Sequence, residues 1–223
     1  MSFSLKKTEN IWVLGIFLGI IGLLSAVFLA IANDLTKKPI AQAKENAVNA
    51  SLKQVLPNFD NMPSKNTYVL KSPSGYEITF MGAKSNGKLV GIAAKGITTQ
   101  GYAGKIELLA GLNLKGQITA SLVLNHNETP GLGANVCNRK FQKTINNLFK
   151  KSPEGLPNNK YLDQFNNHKA TSKKPWKISK DGGTFDFATG ATVTSRAITD
   201  IIWEIDRTFI LHAKKIIATL EKH

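Results

Sequence analysis

Residues 11–32, IWVLGIFLGIIGLLSAVFLAIA, contain no charged side chain. As a helix rising about 1.5 Å per residue, the run reaches about 33 Å, enough for a hydrocarbon core of about 30 Å. Apolar side chains circle the whole helix, so no polar stripe is left for water. A cleavable signal peptide has a shorter apolar region, about 7–15 residues, ahead of a small-x-small site. Ala30-Ile31-Ala32 has that form, but the run before it is too long. The expectation is a tail over 1–10 and a single-pass transmembrane helix over 11–32. Lys6 and Lys7 on one side nearly balance Lys37 and Lys38 on the other, where Asp34 offsets them. Flanking charge therefore does not set the orientation.

Beyond residue 32 the pattern changes period twice. Pro39 opens a stretch rich in good helix formers that ends at Pro57, with Ala43, Ala47, Val48, Leu52, Val55 and Leu56 on one side. Residues 33–60 read as a juxtamembrane helix and linker, the last part of it (57–66) loop. Short runs at 68–70, 76–80, 89–94, 106–112 and 118–124 then read as strands. Turn residues such as Pro73-Ser74-Gly75 and Asn86-Gly87 separate them. A helix is expected over 135–151, carrying Phe141, Ile145, Leu148 and Phe149, and a loop over 152–175. From Ser195 the apolar positions 198, 201, 202, 205, 209, 213, 216, 217 and 220 keep a helical period, and the first half should pack on the sheet. The fold class expected is α+β: a transmembrane helix, then an antiparallel-sheet domain over 61–223 flanked by helices.

Composition excludes several chemistries. One cysteine, Cys137, rules out a disulfide framework and a cysteine-based zinc site, and His126, His168, His212 and His223 lack zinc-ligand spacing. No metal site is expected, and Cys137 reads as packing. Neither a phosphate-loop nor a dinucleotide fingerprint is present. The formal charge of +14 comes from lysine, with only Arg139, Arg196 and Arg207 besides. Base readout and phosphate forks favour arginine. The charge therefore reads as compositional bias or attraction to anionic lipid, with nucleic acid excluded as partner.

Residues 180–202, KDGGTFDFATGATVTSRAITDII, carry the chemistry. Thr189, Thr192, Thr194 and Ser195 crowd four hydroxyls around Gly190-Ala191, directly before a long helix. Free N–H groups and the positive dipole end suit an anion there, and small residues let a ligand approach the backbone. A glycine-rich turn with an N-capping hydroxyl has the same residues. The residues alone leave both readings open.

Asp186-Phe187-Ala188-Thr189-Gly190-Ala191-Thr192 resembles the D-x-x-[ST]-G-A-T flavinylation signature. It is similar to that of the FMN-binding domains in the G subunit of the Rnf electron-transport complex and in the C subunit of the sodium-pumping NADH:quinone reductase. His126-Asn127-Glu128-Thr129-Pro130-Gly131-Leu132-Gly133 resembles the E-T-P-G-L-G segment of the same family, in the same order along the chain. Gly101-Tyr102-Ala103-Gly104 and Pro175-Trp176 through Lys180-Asp181-Gly182-Gly183 fit the Rnf pattern rather than the reductase one.

The resemblance implies FMN held through a phosphoester to the Thr192 hydroxyl, installed by a separate flavin transferase with FAD as donor. It implies flavin contacts at Thr129, Leu132 and Gly133. Thr189, Gly190, Ala191 and Thr194 would surround the phosphate. Lys180 would be a nearby cation and Glu128 an acceptor for the flavin or its ribityl chain. Asp186 is read either by the transferase or as a turn cap. His126, Trp176 and Trp203 read as structural. The chain would relay electrons inside an ion-translocating membrane complex between ferredoxin and NAD, beside the other membrane subunits and in contact with lipid. It would sit in the inner membrane with its soluble domain on the extracytoplasmic side. It holds no nicotinamide site or iron–sulfur cysteine cluster, so it would have no complete activity alone. The alternatives are the quinone-reductase subunit and a stand-alone covalent-FMN carrier.

Overall fold

The computed structural model describes residues 11–139, 155–169 and 175–222. Two compact units are present, Met1–Asn46 and Ala47–His223. The first helix, α1, is assigned over Ile11–Val55, with Pro39 inside it rather than at a break. Proline removes one i→i−4 hydrogen bond, and an exposed helix stretch leaves the freed carbonyl accessible. The apolar run of α1 is long enough to cross a membrane, and none of its most apolar window is buried within the chain.

The second unit is built on one antiparallel meander. Strands β1 (Thr67–Lys71), β2 (Glu77–Ser85), β3 (Lys88–Gly101), β4 (Gly104–Leu112) and β5 (Ile118–His126) lie in sequence order. All five runs expected as strands are present, and β3 extends well past the expected end at 94. The extension pairs Thr98 with Ile106 and Gly101 with Gly104, which carries the β3–β4 turn away from the sheet centre.

Alternation along the strands gives the sheet two apolar faces. Ile78, Phe80, Ile92, Ile106, Leu108 and Leu112 face one core, shared with Ile198, Ile201, Ile202, Ile205 and Phe209. Those last five belong to the long helix α4 (Thr192–Lys222). Met81, Ala83, Ala93 and Leu109 face the other core, shared with Leu52, Val55 and Leu56. Gly96 on β3 permits the close approach of α4, since a Cβ there would lie 3.0 Å from Ile201 and Ile205 side-chain carbons.

Both halves of α4 pack, not only the first. His212 has non-helical angles (φ −122°, ψ 16°), which bends the helix. Beyond the bend Ile216 and Leu220 are fully buried, and the Asn66 amide donates to the Leu220 carbonyl at 2.8 Å. The bend keeps the apolar stripe on the twisted sheet.

Between β5 and α4 the described residues are mostly irregular. Helix α2 covers only Gly133–Cys137, and Asn138 after it is extended (φ −88°, ψ 130°). A continuous helix over 135–151 is therefore not formed at its start. Phe141, Ile145, Leu148 and Phe149 lie outside the described residues. Among the described residues of the expected loop over 152–175 there is a short helix, α3 (Lys160–Asp163). The Asn159 side chain caps it by accepting from the Tyr161 N–H at 3.0 Å.

Candidate functional site

The chain must turn sharply to enter α4, and the residues 188–195 carry the turn. The Ala191 N–H donates to the Ala188 carbonyl at 2.9 Å. The Ala188 N–H donates to Ser195 Oγ at 3.2 Å, and the Ser195 hydroxyl donates to the Ala191 carbonyl at 3.0 Å. Gly190 takes the left-handed conformation (φ +82°), which a side chain disfavours. A Cβ there would also lie 3.1 Å from Leu132 Cδ2. Thr189 and Gly190 are exposed at the tip, and Thr192 follows half-buried as the first residue of α4. The N–H groups of Thr192, Val193 and Thr194 have no i−4 carbonyl within the helix.

A second turn, residues 126–133, lies against the first. The Thr129 carbonyl accepts from the Leu132 and Ala134 N–H groups at 3.2 and 3.1 Å. Glu128, only 5% exposed, reaches beneath α4. Its Oε2 accepts from the Thr194 hydroxyl at 2.7 Å and its Oε1 from the Ala103 N–H at 3.1 Å. Three segments far apart in sequence are thus tied by one carboxylate. Gly133 makes the room: a Cβ there would run into Glu128 Oε2 and lie 2.7 Å from Thr194 Oγ1. Gly101 does the same from the other side, 2.6 Å from Glu128 Oε1.

His126 supports this arrangement. Its Nδ1 accepts from the Glu128 N–H at 3.1 Å, so its Nε2 carries the proton toward Asn138 Oδ1 at 2.9 Å.

The residues singled out from sequence divide into two layers. Thr129, Leu132, Thr189 and Gly190 are exposed, with Thr192 half-buried among them. Glu128, Gly133, Ala191 and Thr194 are buried beneath. Both oxygens of Glu128 accept from the chain's own donors, so its carboxylate ties the turns together from the buried layer. Lys180 is exposed in a 3₁₀ turn, Ser179–Asp181, with its ammonium 6.0 Å from the Phe187 ring centroid. That turn is fastened to α4 by Asp181, which takes two hydrogen bonds from Arg196 at 2.6 and 2.8 Å. The Arg196 guanidinium holds the Asp181 carboxyl below its usual range, Lys177 and Lys180 adding to the effect. Asp186 is exposed, and the Gln164 amide pairs with its backbone at 2.6 and 3.1 Å.

Cys137 is 1% exposed, and burial pushes its thiol up to about 12, which fits packing. Trp203 is buried, and Trp176 stacks with Phe165 at 6.1 Å. Sequence reasoning missed Gly101, Ala103 and Arg196. The motif holding Gly101 and Ala103 was visible, but its tie to Glu128 spans 25 residues and has no local signal.

This two-layer turn coincides with what comparison with known proteins finds. An FMN-binding domain family matches residues 101–205, from the β3–β4 turn to the middle of α4. The G subunit of the ion-translocating oxidoreductase complex of Cereibacter sphaeroides is 31% identical over 210 residues, covering 92% of this chain and 87% of that protein. The chain belongs to this G-subunit family.

Its Shewanella piezotolerans relative is 29% identical and covers 92% of each chain. That of Vibrio atlanticus is 33% identical over 82% of this chain and 83% of its own. The matches reach across both units, so the likeness to the Rnf G subunit includes the apolar helix as well as the flavin-binding domain.

Proposed function

We propose that this chain is the flavoprotein subunit of an ion-translocating membrane oxidoreductase of the Rnf type, with FMN esterified to Thr192. The carrying observation is the placement of Thr192. It starts a 31-residue helix, directly after an exposed left-handed glycine and one alanine, on a turn whose underside is fully packed. The three unpaired N–H groups and the dipole end favour a phosphate. Gly190 leaves open the space a Cβ would fill against Leu132. The residues present therefore fit the group.

Bound there, FMN supplies the electron transfer. The protein supplies position. Thr192 would offer the ester oxygen: on a separate transferase the phosphoanhydride of FAD would break, FMN would pass to that oxygen, and AMP and the hydroxyl proton would leave. Thr189, Gly190, Ala191 and Thr194 shape the phosphate surround. Thr129 and Leu132 offer the adjoining surface, with Gly133 beneath. Glu128 holds the start of α4 still from below, and Lys180 contributes positive charge from its own turn. A covalent link retains the cofactor without relying on affinity, which suits a domain on the extracytoplasmic side of the inner membrane. On this reading residues 11–32 span the bilayer and 61–223 form the FMN-binding domain, with 33–60 between them. The other subunits of the complex supply donor and acceptor.

The test is intact mass and denaturing-gel fluorescence of the chain produced with and without the transferase. One FMN less one water should be retained after denaturation, and be absent without the transferase or in Thr192→Ala. A colourless denatured chain from transferase-competent cells refutes the ester.

A further inference from the structure

The buried Glu128 carboxylate ties three segments, and each tied residue directly follows an exposed apolar one. Ala103, which donates its N–H to Oε1, follows Tyr102. Thr194, which donates its hydroxyl to Oε2, follows Val193. Gly133, whose missing Cβ leaves room for Oε2, follows Leu132. Tyr102 is 73% exposed, Leu132 47% and Val193 42%. Among the described residues Tyr102 is the most exposed large apolar side chain outside α1. Exposed apolar residues scattered singly are ordinary. Here one carboxylate gathers three of them, from segments far apart in sequence, beside Thr192.

The tip that carries Tyr102 is held by its backbone, while the ring itself stands in solvent. Tyr102 and Ala103 form a two-residue turn between Gly101 and Gly104, which pair across β3 and β4. The Ala103 N–H fixes that turn to Glu128 at 3.1 Å, and the Thr194 hydroxyl fixes the start of α4 to the same carboxylate at 2.7 Å. The surroundings are uncharged. Residues 101–104, 129–135 and 187–195 contain no Asp, Glu, Lys or Arg, in a chain with 29 Lys and Arg. An aromatic ring on a fixed backbone, with Leu132 and Val193 close by, makes an apolar rim that gains by being covered.

We propose that Tyr102 is a flavin-stacking residue, its ring covering one face of the isoalloxazine of FMN carried on Thr192, with Leu132 and Val193 completing the apolar rim. The inference rests on the ester proposed above and adds a side chain to it. The isoalloxazine is a flat tricycle, uncharged when oxidised, so an uncharged aromatic rim matches it in shape and in charge. Offset stacking is a favoured contact between such rings. The tether decides between the flavin and a diffusing protein partner. A group esterified at Thr192 meets the rim intramolecularly, at an effective concentration on the order of millimolar. Thr192 and Val193 open α4, and Glu128 fastens both the start of that helix and the Tyr102 turn. The distance to be spanned is therefore set by the fold rather than by a mobile loop.

The experiment reads flavin fluorescence from the full-length chain loaded by the transferase, as wild type, Tyr102→Leu, Tyr102→Phe and Tyr102→Trp. Each native signal is normalised to the flavin retained after denaturation, and iodide quenching measures access to the ring. An electron-rich ring in contact with a flavin quenches it, because the excited flavin takes an electron from that ring and returns it. Native wild-type emission should be at least threefold below the denatured value. Tyr102→Leu should restore most of the lost emission and raise the iodide quenching constant about twofold, since an aliphatic chain covers less of the ring. Tyr102→Phe should regain emission and keep the wild-type protection from iodide, and Tyr102→Trp should stay quenched. A merely structural role would shift the melting temperature and leave this order unmade. Equal normalised emission in wild type and Tyr102→Leu overturns the proposal. So does quenching that appears only when the rest of the complex is added, which would assign the rim to a protein partner. A wild-type chain that retains no flavin after denaturation refutes the ester, and this inference with it.

Discussion

Trp12, Phe17, Leu24 and Phe28 in α1 are 62–78% exposed, whereas Ile198, Ile201, Ile202 and Ile205 in α4 are at most 1% exposed. Both helices are rich in large apolar residues, but they distribute them differently. In α1 they encircle the axis over residues 11–32, so no orientation against a protein surface hides them all. In α4 they form one stripe, and lysines such as Lys214 and Lys215 take the exposed side. The difference teaches which solvent each helix is made for. An all-round apolar surface is stable in lipid, where the surroundings are as apolar as leucine. A striped one is stable at a water boundary, with the stripe on a sheet.

The strongest attempt to break this contrast is a pair of charges in the apolar run. Leu18→Arg with Leu24→Arg should cost about 5–7 kcal/mol of insertion, from about 2.5–3.5 kcal/mol for each arginine near a helix centre. The chain should leave the membrane fraction on carbonate extraction while the flavin domain keeps its melting temperature. Retention in the membrane would show that the apolar run is not the anchor. Ile201→Ala is the matching change in α4. It opens a cavity over Gly96 and should destabilise the domain by about 2–5 kcal/mol, read by denaturant unfolding, with membrane attachment intact.

A smaller change sharpens the contrast within α4 itself, between its packed middle and its functional start. Thr194→Val removes the donor to buried Glu128 and should cost about 1–3 kcal/mol. On the proposed ester, flavin loading by the transferase should slow, because the start of the helix loses its tether while Thr192 is retained. Loading at the wild-type rate would separate the lower layer of the turn from the upper. Arg196→Ala should have the least effect, a melting shift near the limit of detection that added salt abolishes, since the ion pair with Asp181 is solvent-screened. The Asp181 carboxyl is lowered in the folded state. Its contribution is present above the unfolded carboxyl value and lost as pH falls through the lowered folded value. Wild type and Arg196→Ala should therefore converge in acid.

Much of this architecture is legible in the sequence. Strand period two, broken by Pro-Ser-Gly and Asn-Gly turns, marks the meander because alternation is a local consequence of the pleat. The α4 stripe and the Thr-Gly-Ala-Thr turn before it are equally local. Three features are not legible. Pro39 inside α1 is opposed by propensity and permitted by exposure. The early stop of α2 at Cys137 follows from Asn138 being held extended, with its carbonyl accepting from the Asn159 side chain at 2.9 Å. Glu128 presents the sharpest case: its sequence neighbourhood gives no sign that one oxygen accepts from Thr194 and the other from Ala103.

What the chain determined by itself is what depends on near neighbours: a span suited to lipid, five alternating strands, a left-handed glycine, and a hydroxyl at the head of a long helix. The tertiary structure decided which distant groups meet and which way they face. Glu128 and Thr194 are 66 residues apart, and Ser74 and Glu204 are 130 apart. The physical reason is range. Torsional preference and hydrophobic period act over a few residues, whereas a buried hydrogen bond exists only after packing has excluded water from it.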